Sequence, residues 1–206
     1  VSIVLYHHPR SRAATVVWML EALGLDYRLE HVDLSSGANR RPGFLAINPM
    51  GKVPVLVDGD VVLAESAAIG LYLADRYSSG ELAPALDDPA RGAYLRWILY
   101  APSVVEPACM AQAAGWEYGP GQAGWGRFDD VVATLEGAVA PGPWLLGDRF
   151  TMADVVLGST LRWMLMFGMM PKNAALVAYV ERLDAQSSWA RATEVNLAAA
   201  AQHLVE

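Results

Sequence analysis

Asn48-Pro49-Met50-Gly51-Lys52-Val53-Pro54-Val55-Leu56, followed one hairpin later by Glu65-Ser66-Ala67-Ala68-Ile69, is the stretch that decides how this 206-residue chain folds. Val55, Val57 and the run from Val61 to Leu63 carry the branched side chains of strands. Asp58-Gly59 between them is a two-residue hairpin signal. The Val-Pro bend therefore opens a hairpin, and Glu65-Ser66 leads from its second strand into a helix. With the Val53-Pro54 bond cis, which proline permits at modest cost, Val53 leaves its N–H and C=O unpaired at an exposed sheet edge. An extended peptide can dock there.

Outward from this stretch, 3–6 reads as a strand and 13–23 as a helix, with apolar recurrence at Val16, Met19, Leu20 and Leu23 and a closing Gly24. A second strand is predicted over 27–32, a short turn or helix over 44–47, the hairpin over 55–63 and a helix over 66–77. The order is β-α-β-(α)-β-β-α. The polar, proline-bearing 80–88 reads as a linker. Beyond it helical runs are predicted over 90–114, 125–139, 154–168 and 174–185, with a fifth over 194–204. The domain expectation is thus 1–79 for an α/β domain and 89–206 for an all-α domain. Pro102 and Pro107 lie inside the first run and should kink or break it, since proline deletes a backbone donor and crowds the preceding turn. The glycine-rich 115–124 is a connection. Thr151-Met152-Ala153-Asp154 has the form of a capping box, with Phe150 as the matching hydrophobic staple.

The hydrophobic fraction is high, 54%, yet no apolar run approaches the roughly eighteen residues of a membrane-spanning candidate, so no membrane association is expected. The N-terminus carries no basic region followed by an apolar stretch, and a single cysteine, Cys109, excludes an internal disulfide. A cytoplasmic location is the expectation. A net charge of −7 argues against nucleic acid as a partner, so any anion site must be local.

Asn48-Pro-x-Gly-Lys-Val-Pro together with Glu65-Ser66 resembles the glutathione-binding half of the cytosolic glutathione transferases. The resemblance continues in family order through Leu5-Tyr6-His7-His8-Pro9-Arg10-Ser11-Arg12, Trp18 to Gly24, Tyr72-Leu73-Ala74-Asp75 and Leu146 to Asp154, covering nearly the whole chain. It implies an N-terminal thioredoxin-like α/β domain, a C-terminal helical bundle, glutathione as co-substrate with no other cofactor, and a homodimer. Two neighbouring readings share the scaffold: a glutathione-dependent peroxidase or isomerase, and a non-catalytic binding protein. Retention of Lys52, Val53, Glu65 and Ser66 argues against the last.

Glutathione is an anionic tripeptide whose thiol is mostly protonated at neutral pH, so its user must hold two carboxylates and favour the thiolate. The helix N-terminus at Ser66 suits the γ-glutamyl carboxylate, because unsatisfied N–H groups and the helix dipole favour anions there. Ser66 adds a hydroxyl, Glu65 can pair with the γ-glutamyl ammonium, and Lys52 can reach the glycyl carboxylate. The bend at Val53 and Pro54 receives the peptide backbone. The competing reading makes Ser66 a helix cap and Lys52 a solvated lysine.

Three side chains compete to activate the thiol. Ser11, in the turn entering the first helix, offers a hydroxyl and a helix N-terminus, both of which stabilise a thiolate. Tyr6 takes the role if the chain follows the tyrosine-bearing members of the family. Arg12 stands where the bacterial beta class has its cysteine, so a mixed disulfide is not expected here, although Arg12 can supply positive charge. Trp97, Tyr100, Val104, Met110 and Trp116 are the candidate wall of an apolar electrophile pocket. The apolar cluster at 163–170 reads as buried helix. No metal is expected: His7 and His8 are adjacent and point to opposite faces of a strand, and His31 and His203 have no ligand spacing. Cys109 reads as a small buried side chain.

Overall fold

The computed structural model describes residues 3–119 and 121–203. By contacts the chain divides into two compact units, Val1–Tyr77 with Gln186–Glu206, and Ser78–Ala185. In the first unit, β1 (Ile3–His7) leads to α1 (Ala13–Leu23), β2 (Tyr27–His31), α2 (Pro42–Leu45), β3 (Val55–Asp58), β4 (Val61–Ala64) and α3 (Ser66–Tyr77). The strands form one sheet in the order β2-β1-β3-β4. β1 runs parallel to β2 and antiparallel to β3, and β3 and β4 form the expected hairpin. Its turn is Gly59-Asp60, one residue later than the Asp58-Gly59 signal, because Asp58 closes β3. The Asp58 carboxylate is buried and accepts hydrogen bonds from the hydroxyls of Tyr72 (2.9 Å) and Tyr77 (2.5 Å), tying the hairpin to α3.

One face of the sheet is covered by α1, whose Val16, Val17, Trp18, Met19 and Leu20 are completely buried and which also packs on α3. A helix apolar all round must be buried all round. The remaining side of α1 is covered by the last helix. The other face of the sheet holds Val32, Phe44 of α2 and Val55, against which Tyr6, Ile47 and Val53 pack. Gly24 ends α1 with φ +62°, the left-handed C-cap that glycine adopts without strain.

The second unit is helical: α4 (Arg91–Tyr100), α5 (Glu106–Ala113), α6 (Phe128–Val139), α7 (Met152–Met166) and α8 (Ala174–Asp184). The α4 and α5 segments are joined by a π-helical turn, Ala101–Val105, so the long first run is bent without being broken. Pro102 lacks the donor the ladder needs there, while the Ser103 hydroxyl donates to the Leu99 carbonyl (2.7 Å) and Pro107 sits harmlessly in the first turn of α5. α6 begins later than the predicted 125. Gly126 is left-handed, and Trp125 instead packs on Tyr118 and donates its indole N–H to the tyrosine hydroxyl (3.1 Å). α7 runs through the centre of the unit, buried from Met152 to Leu161, and opens on the Thr151/Asp154 capping box. Phe150 packs edge-on against Trp144. The 163–170 cluster is not uniformly buried: Met164, Leu165 and Met170 are, while Met166 and Phe167 are exposed as the helix ends.

The last helix, α9 (Ser187–His203), starts earlier than the predicted 194 and groups with the first unit, although the sequence reading assigns it to 89–206. Its attachments are to α1. The Trp18 indole donates to the Ser188 hydroxyl (3.1 Å) and packs on Trp189, and Arg191 bonds the Glu21 carbonyl (2.8 Å). Leu204, the end of the predicted run, and Pro120 of the predicted connection lie outside the described residues.

Candidate functional site

The strand register gathers the singled-out residues of the first unit at one end of the sheet. Tyr6 stands opposite Val55, and Val55 opposite Ala64. The turn leaving β1 (8–12), the segment entering β3 (Val53-Pro54) and the junction of β4 with α3 (Glu65-Ser66) are therefore adjacent, on strands about 5 Å apart.

The Val53-Pro54 bond is cis. Val53 does not lie on a sheet edge, as the sequence reading had it: the edge strands are β2 and β4, and Val53 precedes the interior strand β3. Among the described residues its N–H and C=O still have no hydrogen-bond partner, because no neighbouring strand reaches so far. The loop before it is built on buried Asn48. The Asn48 amide donates to the Lys52 carbonyl (2.9 Å), and its side-chain oxygen accepts from the Met50 N–H (3.1 Å). Gly51 is left-handed, and a Cβ there would come 2.9 Å from the Asn39 carbonyl, so the loop closes only on glycine.

Glu65 is the one non-glycine residue with positive φ (+70°) among the described residues. Such a conformation costs about 1–3 kcal/mol and persists where the surroundings over-determine it. Glu65 is exposed, and its carbonyl accepts the first hydrogen bond of α3, from Ile69 (2.9 Å). Ser66 is the first residue of the helix, and its hydroxyl has no partner among the described residues. It does not act as a side-chain cap. The N–H groups of the first turn of α3 thus open at the same end of the sheet as Val53.

Lys52 is exposed and has no ion pair among the described residues. Arg40 and Arg41, which the sequence reading passed over, share that property. A guanidinium nitrogen of Arg40 donates to the Met50 carbonyl (3.3 Å), which holds that cation against the loop carrying Lys52. An acidic chain thus keeps a local cationic rim at this loop. Its sequence signal was the pair of arginines just ahead of α2.

Of the three thiol-activating candidates, Ser11 sits half-buried in the turn before α1. Its hydroxyl donates to the His8 carbonyl (2.7 Å) and accepts from the Ala13 N–H (3.1 Å). To serve a sulfur it must exchange the His8 carbonyl for the new acceptor. Tyr6 packs its ring edge-on against Phe44 (5.8 Å) within the apolar cluster of the far face. Arg12 is half-buried at the first position before α1.

The five residues expected to wall an electrophile pocket all belong to the second unit. Trp97 is buried and packs edge-on against Tyr100, with Arg96 over its ring (4.4 Å). Val104 is half-buried in the π turn, whereas Met110 and Trp116 are 54% and 61% exposed. A cavity of about 350 Å³ in this unit is lined by other residues, among them Ala113, Phe128, Phe167 and Met169. Cys109 is buried, and burial pushes its thiol up to about 11, which leaves it unreactive at neutral pH. No cluster of three or more potential metal ligands occurs among the described residues, and no helix there is long and apolar enough to cross a membrane.

The first unit is thioredoxin-like and presents unpaired backbone, a helix N-terminus and cations at one end of its sheet, and the second unit is helical. The glutathione S-transferase N-terminal domain family matches residues 1–75, and the corresponding C-terminal domain family matches 108–185. Glutathione S-transferase 3 of Zea mays is 46% identical over 90 residues, 42% of this chain and only 40% of the maize protein's length. Glutathione S-transferase 2 of Anopheles gambiae is 30% identical over 161 residues, 76% of this chain and 77% of that one. A solved glutathione transferase homolog from Sulfitobacter with bound glutathione superposes with a TM-score of 0.73 at 25% identity, over 95% of this chain and 98% of the other. The chain belongs to the glutathione S-transferase family.

Proposed function

We propose that the protein is a glutathione transferase that adds the glutathione sulfur to an apolar electrophile, by substitution or conjugate addition. The observation that carries the reading is the junction at Glu65-Ser66. A left-handed glutamate delivers an unpartnered serine hydroxyl and a helix N-terminus to the same sheet end as the unpaired Val53 backbone. In this reading the γ-glutamyl carboxylate accepts from the Ser66 hydroxyl and the first N–H groups of α3, and Glu65 pairs with the γ-glutamyl ammonium. The cysteinyl backbone pairs with Val53 beside Pro54. Lys52, with Arg40 and Arg41, answers the glycyl carboxylate.

Ser11 donates a hydrogen bond from its hydroxyl to the sulfur, aided by the N-terminus of α1, and so favours the thiolate, with the thiol proton released to water. The thiolate then attacks the electrophilic carbon; in a substitution the leaving group departs with the bonding pair, and in a conjugate addition the carbanion that forms takes a proton from water. The positive rim and the bound state of the Sulfitobacter homolog both support glutathione as the co-substrate. The chain pairs with a second copy, a reading supported by the exposed Val61 and Val62 on edge strand β4. Sedimentation equilibrium at micromolar concentration should give twice 22.2 kDa, and a monomer alone would remove the pairing.

The direct test of function follows absorbance when the protein meets glutathione and 1-chloro-2,4-dinitrobenzene. Turnover above the uncatalysed rate is expected. Tight glutathione binding without turnover on this or other electrophiles would favour the non-catalytic reading, and neither binding nor turnover would end the proposal.

A further inference from the structure

The four histidines of the chain have no ligand-like spacing, yet the fold assembles them at one end of the first unit's sheet. His31, at the end of β2, lies flat against His203 in the last turn of α9, with ring centroids 4.0 Å apart and planes within 9°. His8, just past β1, stands 5.7 Å from His31 on the side of the loop. His7, the last residue of β1, is buried and donates Nε2–H to the side-chain oxygen of Asn196 (2.8 Å), about two turns earlier on α9. The Asn196 orientation is set by its amide, which donates to the Ala192 carbonyl (2.8 Å) and, more weakly, to Ala14 at the start of α1 (3.4 Å). Nδ1 of His31 is buried without a hydrogen-bond partner, so it has no acceptor for the second proton of an imidazolium.

We propose that this histidine stack is an acid-released latch: while its rings are neutral it holds the end of α9 on the ends of β1 and β2, and proton uptake lets that end go. The inference goes beyond the glutathione reading, and its readout needs no turnover.

Neutral imidazoles stack at this distance, whereas two imidazoliums 4 Å apart repel. Among the described residues, the charged groups facing the stack do not compensate. Asp33, in the loop after β2, faces His8 and His31, but it is one carboxylate already accepting from Ser35 and Ser36. Arg10, in the turn after β1, faces His8 and adds positive charge. Burial, followed by the mutual effect of the rings, holds His31 below its ordinary range. Burial does the same for His7 and His8. A histidine whose docked pKa is depressed binds its proton better when released. Docking is therefore at full strength above the ordinary histidine pKa near 6.5 and weakens as pH falls through it.

Hydrogen exchange of the whole chain at pH 7.5 and 5.5, corrected for intrinsic rates, tests the latch. The amides of 197–203 should lose protection severalfold at the lower pH, because the released end takes up a proton that the docked rings resist. Those of α7 should not. His203→Phe keeps a ring against His31 while removing the second imidazole, and should diminish the pH response by the part that the mutual effect of the rings contributes. His31→Gln gives the same comparison should the phenylalanine fail to dock at pH 7.5. Equal protection of the parent at both values, loss spread over α7 as well, or an undiminished response in the variants would overturn the proposal.

Discussion

Replacing Asp154 with alanine should be among the most damaging single changes in the helical unit. The carboxylate is completely buried and accepts from the Thr151 N–H (2.9 Å), the Thr151 hydroxyl (3.1 Å), the Leu145 N–H (2.9 Å) and the Tyr179 hydroxyl (2.9 Å). It thus caps α7, pins the preceding loop and anchors α8 at once. Alanine leaves two backbone N–H groups and the tyrosine hydroxyl buried without partners, at about 1–3 kcal/mol each. Part of this is offset, because burial pushes the Asp154 carboxyl above its ordinary range and that cost disappears with the side chain. A net loss of about 3–5 kcal/mol is expected. For a chain of this size that corresponds to a fall of roughly 6–20 °C in Tm. Scanning calorimetry of parent and variant measures it. A variant melting within 2 °C of the parent would mean that the four hydrogen bonds do not hold the unit together.

Gly158→Ala should also destabilise. The added Cβ would stand 2.1 Å from a methyl of fully buried Leu183, and the overpacking, about 1–3 kcal/mol, exceeds the helix-propensity gain of about 1 kcal/mol. A raised urea midpoint would refute that packing. Ser11→Ala should raise the pKa of bound glutathione and slow conjugation at neutral pH, with Tyr6→Phe having the smaller effect because the tyrosine ring packs in the apolar cluster. Thiolate absorbance against pH decides between them: an upward shift for Tyr6→Phe with none for Ser11→Ala would transfer the role to Tyr6.

Much of the first unit was legible because its signals are local. Branched residues, a Val-Pro bend and a dense apolar helix each imply one conformation, and the strands and helices formed within a residue or two of their expected limits. The start of α9 was not legible, since among its residues only Ser188, Ala192 and Ala199 are buried and so few apolar anchors leave little periodicity. Trp125 illustrates another limit. Its apolar character reads as helix, but the left-handed Gly126 and the Tyr118 hydroxyl hold it in a loop. Glu65, Ser66, Lys52 and Val53 stand out in the sequence because they flank the hairpin, and the sheet register brings their segments together. Arg40 and the histidine stack do not, because their meaning lies in hydrogen bonds and ring contacts that no local pattern announces.

The central claim is that the β4–α3 junction holds the γ-glutamyl end of glutathione. Isothermal titration of glutathione into the parent, Ser66→Ala and Glu65→Gln tests it most directly. Each substitution removes a charge-assisted contact of about 1.5–3 kcal/mol, so Kd should rise about tenfold or more while Tm stays close to that of the parent. Unchanged dissociation constants for both folded variants would contradict the assignment and remove this junction from the binding site.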